Sequence, residues 1–158
     1  MLDALVAADV RFVLIGGMAA ILHGDVGVTL DVDIAPAFDD ANLDRLAAAL
    51  RSLDARIRAE SVAEGRPFDC SGGFLRQLGP EGILNLTTSA GDVDVMFKPD
   101  GTGGFDDLRS DSVVIELSGT VIRAASLADI IRSKAAADRE KDRAALPRLR
   151  RLLERVSR

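Results

Sequence analysis

Between Phe12 and Pro36 the chain reads FVLIGGMAAILHGDVGVTLDVDIAP, and this stretch restricts the fold more than any other. Phe12 to Ile15 is apolar without alternation, the pattern of a strand covered on both faces. It stops at Gly16-Gly17, and a short helical segment follows through His23. After a turn at Gly24 to Gly27 a second strand carries Asp31 and Asp33. Side chains alternate along a strand, so Thr29, Asp31 and Asp33 share one face while Leu30, Val32 and Ile34 share the other. Two carboxylates ~7 Å apart on one face repel each other and favour a cation between them. Oxygen ligands of this kind suit Mg²⁺, or Mn²⁺, completed by substrate phosphates. The plainer reading of an Asp-x-Asp pair is the solvated face of an edge strand. The glycines weigh against it: a strand that ends in two glycines and opens a helix presents backbone N–H groups to an anion.

The remaining pattern predicts an α/β (α+β) fold. Residues 2–9 read as a short amphipathic helix. Asp39-Asp40 caps a helix from about Ala41 to Leu53, with Leu43, Leu46, Ala47 and Leu50 as its apolar stripe. Arg56 to Gln77 shows weak periodicity and reads as loops around one helical turn. Ile83–Thr88 and Asp92–Lys98 read as paired strands joined by Ser89-Ala90-Gly91. Pro99–Leu108 is a glycine-rich connection that lacks the GK[ST] of a phosphate loop. Ser112–Leu117 and Val121–Ala124 form a hairpin, and Ser126 to Asp129 matches a capping box for a helix to about Ala137. A last helix, Asp142–Val156, contains Pro147, which either kinks it or starts it anew.

Length limits the chain to one domain, residues 1–158, with a core at about 11–124 and C-terminal helices at about 126–157. The content is 47% hydrophobic and 28% charged, ordinary for a globular chain. Cys70 stands alone and reads as a small buried hydrophobe in a reducing compartment. With no long apolar run and no basic leader, the chain reads as cytoplasmic with no membrane partner. The net charge of −5 is unevenly spread. Asp129 to Arg158 holds ten basic and five acidic residues, net +5, against net −10 elsewhere. A basic end fits either a nucleic-acid footprint or a solvated helix face, and the lack of Trp and Tyr favours the latter.

Gly16-Gly17 followed by Asp31-x-Asp33 resembles the nucleotidyltransferase superfamily of the DNA polymerase β type. The resemblance is closest to small bacterial and archaeal members, including the abortive-infection and toxin–antitoxin group. It implies a mixed, mostly antiparallel sheet flanked by helices, with NTP as substrate and two Mg²⁺ ions held by the Asp pair. It also implies that Gly16 and Gly17 approach the phosphates, although Gly17 stands where a Ser is common and its hydroxyl contact is missing. His-Gly at His23-Gly24 is frequent in the family, and a packing role for His23 outweighs a substrate-facing one.

Two further positions follow from the resemblance. A third carboxylate belongs between aliphatic residues on a neighbouring strand, and Val93-Asp94-Val95 fits; Asp92, next to the turn, is expected to face solvent. The helix bearing Lys134 would aim that lysine at the nucleotide phosphate, with Lys141-Asp142 fixing the start of the last helix or aiding the site. A lysine on an otherwise apolar helix face needs a partner in any case. The expected activity is transfer of a nucleoside monophosphate to a hydroxyl of RNA, of a protein side chain, or of a small molecule. A partner protein or a dimer would supply what the core lacks for a large acceptor. The alternative is a non-catalytic module with the same fold that works by binding a partner protein.

Overall fold

A computed structural model describes residues 1–157; Arg158, the last of the ten basic residues above, lies outside the described residues. The elements in chain order are α1 (Leu2–Ala7), β1 (Phe12–Ile15), α2 (Gly16–Leu22), β2 (Asp31–Pro36), α3 (Asp40–Ser52), β3 (Arg56–Ala59), β4 (Val62–Arg66) and α4 (Gly72–Leu78). They continue as β5 (Ile83–Thr88), β6 (Gly91–Met96), α5 (Phe105–Ser110), β7 (Val113–Leu117), β8 (Thr120–Ala124), α6 (Leu127–Ala137) and α7 (Glu140–Val156). The strands form one mixed sheet in the order β4-β3-β5-β6-β2-β1-β8-β7. Among the described residues only the β2–β6 and β1–β8 pairs are parallel, so the sheet is mostly antiparallel, as expected.

The apolar run of β1 explains its place near the middle. All four of its residues are buried, which requires cover on both faces of the sheet. Beside it, β2 passes from half-buried Asp31, Val32 and Asp33 to buried Ile34, Ala35 and Pro36, so one end is anchored in the core and the other opens to a cleft. The predicted stripe of α3 is wholly buried. Its start is fixed by the Asp39 carboxylate, which accepts from the Asn42 N–H at 3.2 Å. Ser126 caps α6 in the same way, accepting from the Asp129 N–H at 3.1 Å.

Three segments differ from the sequence reading. Residues 56–66 form the β3–β4 hairpin instead of loops. The sequence signal is only the short alternation Arg56-Ile57-Arg58-Ala59, and what makes it a strand is non-local pairing of Arg56 with Thr87 and Ile57 with Leu86. The helical turn expected before Gln77 is α4, capped by Ser71, which accepts from the Phe74 N–H at 3.1 Å, with Leu75 fully buried. The glycine-rich connection ends in a real helix, α5, whose Phe105 and Leu108 are buried. The last helix also begins two residues earlier than expected and runs through Pro147 without a restart.

Asn42 joins three elements through one fully buried side chain. Its Oδ1 accepts from the Arg11 N–H at 2.7 Å, while Nδ2 donates to the carbonyls of Arg11 at 3.0 Å and Ala37 at 2.9 Å. Replacing it by Ala removes these bonds and leaves buried backbone groups short of partners. The expected loss is about 2–4 kcal/mol, read as a drop in Tm of roughly 5–15 °C. A fall of less than a few degrees would show that these backbone groups find other partners.

Candidate active site

The β2–β6 ladder builds the site. Its parallel register sets Asp31 against Asp92 and Asp33 against Asp94. With alternation along each strand, all four carboxylates rise from the same sheet face, while Val93 and Val95 fill the core on the other. One carboxylate oxygen from each of Asp31, Asp33 and Asp94 lies within 4.8 Å of the others, a grouping able to hold a metal ion. Asp92, expected to face solvent, is 38% exposed, and it also stands on the cleft wall because the ladder sets it beside Asp31.

Gly16 abuts this cluster. Ile15 is in register with Asp33, so the next residue turns directly over the Asp33 carboxylate. Gly16 has φ +68°, and a Cβ there would sit 2.0 Å from Asp33 Oδ2. Glycine is thus required twice over, by backbone conformation and by contact. The Gly17 N–H, expected to face an anion, is near enough to the Asp33 carboxyl to favour its charged form. Thr29 donates its hydroxyl to Asp31 Oδ1 at 2.7 Å and so orients that carboxylate.

Electrostatics follow from crowding. Burial, then the charges of Asp31 and Asp94, push the Asp33 carboxyl up to about 6, with Lys141 and the Gly17 N–H opposing. Burial also raises Asp94, against the lowering effect of the Arg58 guanidinium. Arg58 itself, on β3, was not singled out by the sequence. It pairs with Asp94, and its Nη1 lies 3.7 Å from Asp92 and 4.0 Å from Asp31. The only hint in the sequence is its place in a charged period-two segment.

The two predicted C-terminal cations divide their tasks. Lys134 lines the cleft, but its Nζ donates to Asp142 Oδ1 at 2.9 Å and does not reach the three-Asp cluster through any hydrogen bond or ion pair described. Asp142 is the partner that the apolar setting of Lys134 demanded, and its Oδ2 is buried with no donor. Lys141, also on the cleft wall, is the lysine whose charge is felt by Asp33 and Asp94. His23 packs, its Nε2 lying 2.8 Å from the Ala125 carbonyl. The opposite rim is fastened by Arg148, whose Nε and Nη2 donate to the two oxygens of the largely buried Asp25. The cleft has a volume of about 540 Å³, within the range of small-molecule sites.

These elements, a glycine turn off a central strand, an Asp-x-Asp strand beside it and a third Asp on the next, define the nucleotidyltransferase fold. No family model matches the chain, and no curated protein matches it by sequence. Solved structures do match. One is a Thermotoga maritima protein described as a candidate nucleotidyltransferase, 16% identical, with TM-score 0.58 over 93% of this chain and 86% of that one. Another is the lincosamide antibiotic adenylyltransferase LnuA with lincomycin bound, also 16% identical, with TM-score 0.58 over 96% of this chain and 92% of that one. At such identity the likeness establishes the fold, in agreement with the expectation from Gly16-Gly17 and Asp31-x-Asp33. No helix among the described residues is long and apolar enough to cross a membrane.

The raised Asp33 makes a signed prediction. Between about pH 4 and 6 the folded protein holds a proton there that the unfolded chain has lost, so this carboxyl's contribution to stability falls as pH rises. Asp33→Asn keeps the shape and removes the charge. In EDTA it should be more stable than wild type at pH 7.5, on the order of 1–3 kcal/mol, with the difference vanishing near pH 4. Thermal melts of both proteins across this range check it; a less stable Asn variant at pH 7.5 refutes it.

Proposed function

We propose that this chain is a metal-dependent nucleotidyltransferase that moves a nucleoside monophosphate from NTP to an acceptor hydroxyl. The observation that carries the proposal is the convergence of Asp31, Asp33 and Asp94 on one cleft wall beside a glycine turn. Residues 1–158 would act as one unit.

Asp31 and Asp33 would hold the divalent cations, Mg²⁺ or Mn²⁺, with Asp94 as a third ligand. Three carboxylates are the oxygen donors such ions take, and Asp33, raised by burial and then by the charges of Asp31 and Asp94, is a carboxyl whose charged form a cation would favour. When bound, the metal supplies positive charge at the reacting phosphate oxygens. The chain's own part is positioning and charge. Gly16 and Gly17 leave room for the phosphates against β1, since a side chain at Gly16 would fill the space beside Asp33. Lys134, steadied by Asp142, and Lys141 offer ammonium groups to the polyphosphate from the facing wall. Asp94, raised from its ordinary value, is suited to accept the proton of the attacking hydroxyl. That oxygen forms a bond to the α-phosphorus while the bond to the β-phosphate oxygen breaks, and pyrophosphate leaves.

Candidate acceptors are an RNA end, a protein side chain or a small hydroxylated molecule. The likeness in fold and extent to a lincosamide adenylyltransferase favours a small molecule, and the basic C-terminal end favours RNA. A toxin–antitoxin role and pairing with a partner protein or a second copy belong to the protein-acceptor version.

Calorimetric titration with each NTP, with and without Mg²⁺, should show metal-dependent binding. Asp31→Ala and Asp33→Ala should each weaken it by more than about 100-fold, beyond what outer-shell substitutions at metal sites cost. Transfer of radiolabel from α-labelled NTP to RNA or to small alcohols would then identify the acceptor. RNA binding, if it occurs, should weaken steeply with salt. Absence of NTP binding under every condition would refute the enzyme and leave the partner-binding module.

A further inference from the structure

Arg58 is placed where no nucleotide or acceptor is needed to explain it. Its guanidinium reaches three of the four cleft carboxylates at once: it pairs with Asp94 and lies within 4.0 Å of Asp31 and Asp92. Two of these, Asp31 and Asp94, belong to the group whose oxygens could share a metal ion. A guanidinium seated against these carboxylates and a small divalent cation held among them compete for the same negative charge. Arg58 is also incompletely held. Its Nε is buried without a hydrogen-bond partner, so the side chain is anchored by its terminal nitrogens and leaves a donor unsatisfied. Its side chain is 34% exposed, and it extends from β3, next to the edge strand β4, so it can leave without disturbing the core.

We propose that Arg58 is the exchangeable counter-ion of the carboxylate cluster: guanidinium and divalent metal occupy it alternately, and metal loading releases Arg58 into the cleft. This rests on the metal-site reading above and goes beyond it by assigning a residue that opposes loading. Without metal, four carboxylates on two adjacent strands carry one neutralising arginine from a third. With metal, that arginine becomes a free cation in the space where the polyphosphate would lie. Metal and nucleotide binding are thereby linked, because the first exposes a group that attracts the second.

The test is Mn²⁺ binding at pH 8, by calorimetry and by electron paramagnetic resonance, for wild type, Arg58→Met, Arg58→Lys and Asp33→Asn. Removing a unit positive charge a few ångströms from the site should tighten Mn²⁺ binding by about tenfold or more in Arg58→Met. In EDTA the same variant should melt at least about 4 °C lower than wild type, a gap that saturating Mn²⁺ closes. Mn²⁺ affinity equal to or weaker than wild type overturns the proposal. Should Arg58→Met not fold without metal, the wild type answers by NMR: the arginine Nε–H resonance missing in Arg58→Lys must shift on adding Mg²⁺, and its constancy overturns the proposal. If neither wild type nor Arg58→Met takes up Mn²⁺ beyond what Asp33→Asn does, the metal site itself is refuted. Uptake by wild type with no effect of Arg58 refutes the exchange alone.

Discussion

The parallel pairing of β2 with β6 is the constraint from which the rest of the site follows. It aligns two Asp-x-Asp segments, 31–33 and 92–94, so that four carboxylates stand on one face of adjacent strands. Neighbouring strands are ~4.8 Å apart and same-face residues ~7 Å apart, so no carboxylate can escape its neighbours. The opposite face of these strands is locked in the core by Ile34, Val93 and Val95, which are wholly buried. A register slip that relieved the repulsion would turn those side chains out to water. The hydrophobic core therefore holds the charges together, and burial, with repulsion added to it, raises Asp33 and Asp94.

Cations from distant parts of the chain answer this concentration of charge. Arg58 comes from a hairpin on one side, Lys141 from the first turn of α7 on the other. Farther out, Lys134 with Asp142 and Arg148 with Asp25 tie α6, α7 and the loop after α2 into a fixed wall. The Arg148–Asp25 pair matters because that loop otherwise has little to hold it: Val26, Val28 and Leu30 are each more than 80% exposed. Ion pairs at a surface contribute little singly, but here one partner of each pair is nearly buried. Losing the arginine or lysine would leave an uncompensated carboxylate facing the cleft.

What the sequence made legible was whatever is encoded locally. The unalternating run of β1, the i, i+3, i+4 stripe of α3, the caps at Asp39 and Ser126 and the Asp31-x-Asp33 pair each depend on neighbours within a few residues. Asp94 was singled out over Asp92, on the same strand face, by the family's pattern of an Asp between two aliphatic residues. That Asp92 stands beside Asp31 on the cleft wall was not legible, because it depends on a strand sixty residues earlier, which no local pattern reveals. Arg58 escaped for the same reason, since β3 reaches the site through its non-local ladder with β5. Helix α5 was hidden by the glycines before it, although Phe105 and Leu108 carry the spacing of a buried face. Lys134 was recognised as needing a partner, and the partner proved to lie eight residues on, in Asp142.

The structure also changes the meaning of the basic C-terminal end. Arg132 pairs with Asp107 and Asp129, Lys134 with Asp142, Arg139 with Asp100, Arg143 with Asp138 and Arg148 with Asp25. Lys141 faces the Asp cluster. Arg132, Arg139 and Arg148 thus pair with acids from the rest of the chain, Lys134 and Arg143 with acids of the same end, and Arg150, Arg151 and Arg155 remain as an outward basic face on α7 among the described residues. A net −10 body and a net +5 end are two halves of one electrostatic arrangement. Three arginines on one helix are a small footprint for a polyanion, each phosphate contact counting separately in salt dependence. The charge asymmetry that suggested RNA is explained in larger part by the need to close an acidic cleft with cationic helices.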